Sequence, residues 1–470
     1  MRYSYTVKEP NKAYLTNNLL IPKEGLNISP IKAALTFAKG EELELDATGE
    51  AIRTVPGSLQ LWDETEHHIV VPREFLRPAQ FGQFDFELVD MRPTFFEHVD
   101  IQDRIVLRNE DQQAALDALL SNHNGTLNLS CGQGKTVIGL KLAATLKVPT
   151  MIIVNTTALL EQWREEIQRH LGVSGIGQIQ GDLDDWQGHP VVMAMVHTLA
   201  QRKDEWEMDF RRRFGLVLYD EGHHMSAPVF VRSADMFFGR RYSLTATPNR
   251  TDGLEMIYQF HIGRVIHSNL SQDLIPRTYF HVLHWEASSQ EKEAVLDIHG
   301  EVNVSKVRTL LGTLEWRNDM IVKDIRADMQ KGRQLLVLSH SVEHVNALFR
   351  CFSASGAGVI TGQTEQEDRM SILRECNPVF GTFQLAREGL NKPSLDTLSV
   401  VTPFNNSNDL QQAWGRIQRQ YAQKLPPIVR VYEDHAFPCC VRSCRGLRKV
   451  LRNLQYPIYK REIDVEFSNV

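Results

Sequence analysis

The chain reads as an α/β protein with two similar parallel-sheet lobes in tandem, preceded by a small α+β domain. Three observations carry this reading. From about residue 104, short apolar runs of strand length alternate with helical patterns of about 10–15 residues, the pattern of a parallel sheet covered on both faces. A second series of the same kind starts near residue 275. The first hundred residues lack that alternation. A length of 470 residues accommodates two or three domains, and the boundaries fall at 1–103, 104–268 and 269–470.

In the first segment Ser29 is a good helix N-cap, Pro30 suits the first helical position and Gly40 closes the helix. Strands at Glu41–Asp46 and Ala51–Val55 flank a turn at Thr48-Gly49, and Leu59–Trp62 and His68–Val71 follow. The first lobe has strands at Thr126–Ser130, Thr150–Asn155, Pro190–Met195, Gly215–Asp220 and Arg241–Thr247, with helices Lys135–Lys147 and Ala158–Leu171 between them. The second has strands at Thr278–Trp285, Gln334–His340, Gly358–Thr361, Val379–Phe383, Thr397–Pro403 and Ile428–Asp434, with a helix Ser305–Gln330 broken at Gly312.

Composition sets limits. Hydrophobic residues make up 42% and charged residues 23%, an ordinary globular balance. The net charge of −6 gives no global basic field, so any nucleic acid must be met by local patches and backbone amides. Arg211-Arg212-Arg213, Arg442 to Arg452 and Lys460-Arg461 are the patches, each either a solvated face or a phosphate contact. No apolar run approaches the roughly 20 residues that span a bilayer, and MRYSYTVKEPNK lacks the apolar core of a signal peptide. Six cysteines fit reduced thiols, which points to the cytoplasm. Cys439, Cys440 and Cys444 with His435 lack the paired C-x2-C spacing of a zinc site.

Three motifs carry chemistry. Cys131-Gly132-Gln133-Gly134-Lys135-Thr136 joins a strand to a helix. Its glycines let backbone N–H groups face phosphates at a positive helix terminus. Lys135 neutralises phosphate charge, and the Thr136 hydroxyl suits Mg²⁺. The full loop pattern has glycine at position 129, where this chain has Leu129. Gly215-Leu-Val-Leu-Tyr-Asp220-Glu221 delivers two carboxylates at a strand's C-terminal end, where open α/β sheets bind ligands. Asp220 suits the metal, and Glu221 suits the orientation or deprotonation of an attacking water. Arg416 and Arg419 lie three apart on one helix face and offer charge to a transferring phosphoryl group.

In this order and spacing the motifs resemble those of the superfamily 2 helicases of the DExH type, across nearly all of residues 104–434. Leu107-Arg108-x3-Gln112 resembles the upstream motif that recognises adenine. Asn155-Thr156 with Gln162-Trp163, and Val196-His-Thr198-Leu199, resemble the nucleic-acid motifs of the first lobe. Leu244-Thr245-Ala-Thr247-Pro248 through Gly253 is similar to the branch-migrating phage helicases and the XPB-like repair helicases. In the second lobe, Val337 to Ser341, Thr361 to Arg369, Glu388-Gly389-Leu-Asn391 and Gln412 to Arg419 resemble the remaining motifs. Cys131 stands where threonine or serine is usual and Asn391 where aspartate is usual.

The resemblance implies two RecA-like lobes and ATP with Mg²⁺. Arg108, Gln112, Gly132, Gln133, Gly134, Lys135, Thr136, Gly389 and Asn391 would bind the nucleotide. His223, Thr245, Thr247 and Gln412 would couple it to movement. Thr156, Thr198, His340, Ser341 and Gln384 would grip nucleic-acid phosphates, or equally would satisfy their own backbone as strand-end residues. The implied activity is an ATP-dependent DNA helicase on branched or forked DNA, in company with replication or recombination proteins and away from membranes. A duplex translocase, an RNA helicase and an ATP-gated nucleic-acid clamp stand as alternatives.

Overall fold

A computed structural model describes residues 9, 11–45, 51–76, 80, 86–130, 132–221, 227–246, 255–269, 274–383, 392–404, 413–418, 421 and 423–465. The chain divides into two compact units, one of Met1–Leu129 with Gly134–Leu270, the other of Ser271–Val470 with Ser130–Gln133. Among the described residues no helix is long and apolar enough to cross a membrane.

The first unit opens with a five-stranded sheet in the order Asp63–Glu64, His68–Pro72, Asn18–Pro22, Ala13–Leu15, Leu88–Asp90. Beside it Thr36–Leu45 and Ala51–Gln60 form an antiparallel ribbon. The helix expected up to Gly40 stops much earlier, at Ser29–Ala34. Thr36, Phe37 and Ala38 instead pair with Gln60, Leu59 and Ser58, and Gly40 falls where the ladder shifts register. Cross-strand pairing outweighs the helix signal, and the glycine marks a bulge rather than a helix end. The ribbon also absorbs the separate strand expected from Leu59.

One face of this opening sheet keeps a small cluster of its own, Tyr14, Leu20 and Val70, and the other face packs outside it. Leu19, Ile21, Leu35, Leu61, Ile69 and Val71 share one buried cluster with Met151, Ile153, Val217 and Phe237 of the parallel sheet. Two buried arginines fasten the same junction. Arg73 donates to the carbonyls of Phe238, at 3.1 Å, and Gly239, at 2.9 Å. Arg241, fully buried, donates to the carbonyls of Phe237 and Asn17, each at 2.5 Å. Burial, and next the neighbouring Arg241 charge, hold the Arg73 guanidinium well below its usual pKa.

The parallel sheet of this unit has eight strands, Leu183–Asp185, Ile176–Gln180, Val191–Met195, Thr150–Val154, Leu216–Asp220, Arg240–Thr245, Asn124–Leu129 and Val265–Asn269, of which only the edge strand Leu183–Asp185 runs antiparallel to its neighbour. The central ones are buried along their whole length; Thr150–Val154 and Leu216–Asp220 owe this to near-continuous apolar runs, whereas Asn124–Leu129 is buried despite two asparagines and a threonine. Ile176–Gln180, Leu183–Asp185 and Val265–Asn269 escape the sequence reading because they sit toward the edges and carry glycine, glutamine, aspartate or histidine in place of an apolar run.

The second unit is a seven-stranded parallel sheet: Gly358–Ile360, Val379–Thr382, Leu335–Ser339, Thr397–Val400, Ile428–Asp434, Arg277–His284 and Ile458–Asp464. The long helix does break near Gly312, into Val304–Thr313 and Glu315–Gln330 with Leu314 between. A Cβ on Gly312 would press on His344, and the Asn318 side chain caps the Gly312 carbonyl at 2.8 Å. Below lies a buried ion pair. Arg317 donates to both oxygens of Asp434, at 3.0 and 2.9 Å, and Trp285 Nε1 adds a third contact at 3.2 Å.

Two predictions follow from this packing. Arg317→Met leaves Asp434 charged in a fully buried pocket and should cost about 3–5 kcal/mol in chemical denaturation, whereas Arg317→Met with Asp434→Asn should recover most of it. His344 is held between Asn318 Oδ1, at 2.9 Å, and Ser339 Oγ, at 3.1 Å, and burial lowers its pKa to about 3. The folded state therefore binds fewer protons than the unfolded chain once pH drops below the ordinary histidine value. Its stabilising contribution is complete near neutrality and is lost as pH falls toward 3, by at most about 1.4 kcal/mol per unit. His344→Gln should flatten that part of the stability-against-pH curve; an unchanged slope would assign it to other groups.

Candidate functional site

The strand Asn124–Leu129 is buried throughout and leads through the loop into the helix Lys135–Leu146. Gly132 and Gly134 both have positive φ, at 87° and 85°, so the loop depends on residues without a Cβ there. The Gln133 N–H donates to the Ser130 carbonyl at 3.2 Å and tightens the turn. Lys135 and Thr136 are the first two residues of the helix, where backbone N–H groups lack intrahelical partners.

The upstream motif lies against this loop. Asn109 caps the helix Glu110–Ser121 by accepting from the Gln112 N–H at 3.0 Å. Gln112 then turns back, its Oε1 accepting from the Arg108 N–H at 2.8 Å. A Cβ on Gly134 would collide with Gln112 Nε2. Four expected nucleotide residues, Arg108, Gln112, Gly134 and Lys135, are thereby brought together.

Three parallel strands then align their C-terminal ends. Arg240–Thr245 lies between Asn124–Leu129 and Leu216–Asp220, with Leu244 paired to both Leu127 and Asp220. Across the end of that middle strand, Lys135 Nζ meets Glu221 Oε1 at 2.5 Å. Thr245 Oγ1 donates to Glu221 Oε2 at 3.2 Å, and the Glu221 N–H donates to the Leu244 carbonyl at 3.0 Å. Glu221 has φ of +46°. A non-glycine residue there costs on the order of 1–3 kcal/mol and persists only where its surroundings over-determine it. Asp220 is buried, and its Oδ2 accepts from Trp163 Nε1 at 2.8 Å. Sequence reasoning saw Trp163 only as part of a nucleic-acid motif and missed this role. Its fully buried position on the helix Thr157–His170 is the signal that a partner was required.

The expected phosphate-gripping hydroxyls are in use within the fold. Thr156 caps its helix by accepting from Leu159 N–H at 3.3 Å, and Thr198 is buried and accepts from Gly181 N–H at 3.0 Å. In the second unit Ser341 caps the helix Val342–Arg350 through His344 N–H at 3.2 Å. His340 stacks on Phe383, with ring centroids 4.2 Å apart, and its N–H donates to Thr402 Oγ1 at 3.1 Å. Arg416 has a buried Nε without a hydrogen-bond partner among the described residues. His223, Thr247, Gln384, Gly389, Asn391, Gln412 and Arg419 lie outside the described residues.

Comparison with known proteins agrees with this geometry. Residues 105–250 match the family described as the res subunit of type III restriction enzymes, and residues 316–420 match the helicase conserved C-terminal domain. A protein of Acanthamoeba polyphaga mimivirus named as an ATP-dependent RNA helicase is 28% identical over 65% of this chain and 59% of its own length. A protein of Kineococcus radiotolerans named DNA 3'-5' helicase XPB is 33% identical over 69% of this chain and 57% of its own. The chain thus spans less than two thirds of either relative. Among solved structures, a fragment assigned as the HsdR subunit of a type I restriction enzyme from Vibrio vulnificus superposes with a TM-score of 0.55, at 17% identity, covering 77% of this chain and 69% of that one. At that identity the likeness is one of fold: tandem RecA-like lobes. With both helicase domains in place and XPB among its relatives, the chain belongs to the superfamily 2 helicases, a family of ATP-hydrolysing enzymes.

Proposed function

We propose that the chain is an ATP-dependent DNA helicase or translocase that remodels branched DNA, such as forks and junctions. The observation that supports it most is the meeting of Lys135, Glu221 and Asp220 at the aligned ends of three parallel strands. The donor set fits a magnesium-bound triphosphate: a glycine loop with two positive φ values, a lysine, a helix-start threonine and a buried strand-end carboxylate. Thr136 and Asp220 would hold Mg²⁺, which when bound supplies charge neutralisation on the triphosphate. Arg108, Gln112, Gly132, Gln133 and Gly134 would hold the nucleotide.

The Lys135–Glu221 pair gives this site two states. While its carboxylate is engaged by the Lys135 ammonium, Glu221 is a poor proton acceptor. Phosphate oxygens that draw Lys135 away release Glu221 to orient and deprotonate water, with Thr245 retaining its other oxygen. Trp163 holds the Asp220 carboxylate in place. Arg416 acts in the phosphoryl-stabilising role its motif implies. The DNA preference draws support from the XPB relative's name. The mimivirus relative's name favours an RNA substrate as the second reading, and partner proteins of replication or recombination belong to the first.

ATP turnover and strand separation on matched forked DNA, linear duplex and RNA fork decide between them. Fork-stimulated turnover with separation is the expected result. Turnover without separation would make the chain a translocase, RNA preference would move the substrate, and no turnover on any of them would leave a nucleic-acid clamp. Glu221→Gln should bind ATP and lose turnover by about 10²–10⁴-fold, while Lys135→Ala should lose nucleotide binding itself. Trp163→Phe should fold and bind ATP yet turn over about tenfold more slowly, because Asp220 loses its N–H partner; unaltered turnover would reduce Trp163 to a packing role.

A further inference from the structure

The helix Pro438–Asn453 carries a charge pattern that folding of this chain does not explain. Its sixteen residues include Arg442, Arg445, Arg448, Lys449 and Arg452 and no acid, within a protein whose net charge is −6. Cys440, Cys444, Leu447 and Leu451 form its buried face, and three of them enter the core with Phe280 and Val282. Arg448 is committed inward: its Nη2 donates to Glu433 Oε1 at 3.0 Å, and its guanidinium lies 5.0 Å from the Phe280 ring centre.

The other four cations are exposed. At about 100° per residue they fall within an arc of about 80°, and at 1.5 Å per residue they extend over about 15 Å. Among the described residues none of the four has a side-chain hydrogen bond or an ion pair. Like charges three and four residues apart repel on a helix, and here no acid of the same helix relieves them. Strand pairing sets Lys460 opposite Phe280, hence on the same side of the sheet as this helix. Glu462, the acid two residues on, is held by His284 at 2.8 Å.

We propose that this stripe docks the phosphate backbone of a nucleic-acid duplex, as a contact surface on the second unit additional to the helicase motifs. The inference rests on the helicase reading above. Charge complementarity selects a polyanion. Duplex is preferred to single strand because the helix contains no aromatic residue on which an unpaired base could stack. Contacts of this kind position a duplex without reading its sequence.

The test compares wild type with R442Q/R445Q/K449Q/R452Q, binding a short blunt DNA duplex over a range of salt. The glutamine variant should bind the duplex at least tenfold more weakly at low salt. The slope of log affinity against log salt should fall by about 3–4, since each phosphate contact contributes about 0.9. Basal ATP turnover should be unchanged and thermal melting should not fall, because all four side chains are exposed and their repulsion is relieved, and R442K/R445K/R452K should keep the slope. Wild-type affinity and slope in the glutamine variant would overturn the proposal, as would weakening confined to single-stranded DNA. A wild-type protein with fork-stimulated turnover and an unaffected variant would refute the stripe alone. A wild-type protein that neither hydrolyses ATP nor binds DNA would refute the helicase reading along with it.

Discussion

The rest of the structure is arranged around one ion pair, Lys135 with Glu221, closed across the end of an intervening strand. Neither residue can reach the other unless three parallel strands stop at the same level. That alignment in turn requires strands buried on both faces, hence helices above and below. The left-handed backbone at Glu221 follows from the same demand. The chain must turn sharply after Asp220 to send one carboxylate toward the lysine while the preceding one stays buried against Trp163. The cost of that conformation, on the order of 1–3 kcal/mol, is borne because the surrounding contacts over-determine it.

The opening hundred residues share this dependence. Their strands bury Leu19, Ile21, Ile69 and Val71 in one cluster with the parallel sheet, and Arg73 and Arg241 bind carbonyls from both sides of the junction. Two guanidiniums buried among carbonyls are expensive to strip of partners. The opening segment is therefore part of one packed body with the sheet whose far ends carry the Lys135–Glu221 pair.

Much of this was legible in the sequence. The unbroken apolar strands, the glycine loop and the strand-end acids are local patterns, and the fold places them as local patterns require. What escaped depends on distant partners. The helix expected up to Gly40 lost to a cross-strand ladder twenty-odd residues away. The edge strands Leu183–Asp185 and Val265–Asn269 need only half an apolar face, so periodicity gave little sign of them. Thr156, Thr198 and Ser341 were read as phosphate contacts or as residues serving their own backbone, and their hydroxyls are found capping or bracing. The role of Trp163 depended on a carboxylate 57 residues away, which no window of sequence contains.

Arginines show where sequence reading ends and three-dimensional structure begins. Arg317, Arg448 and Arg416 all lie on helices of the second unit. Arg317 is fully buried and meets Asp434 with two parallel donors, and Arg448 meets Glu433, so both are answered by fixed acids of their own unit. Arg416 Nε is buried with no acceptor among the described residues, as is Arg317 Nη1, but the other Arg317 nitrogens hold Asp434 whereas no acid is paired with Arg416 among the described residues. A donor withdrawn from water without an acceptor is a standing cost, which at Arg317 is offset by the bidentate pair with Asp434. The stripe from Arg442 to Arg452 presents the complementary case, cations left in water with their mutual repulsion unrelieved by any acid of their helix. The same side chain thus serves as strut, as buried donor and as exposed charge. Only the count of its partners distinguishes the three.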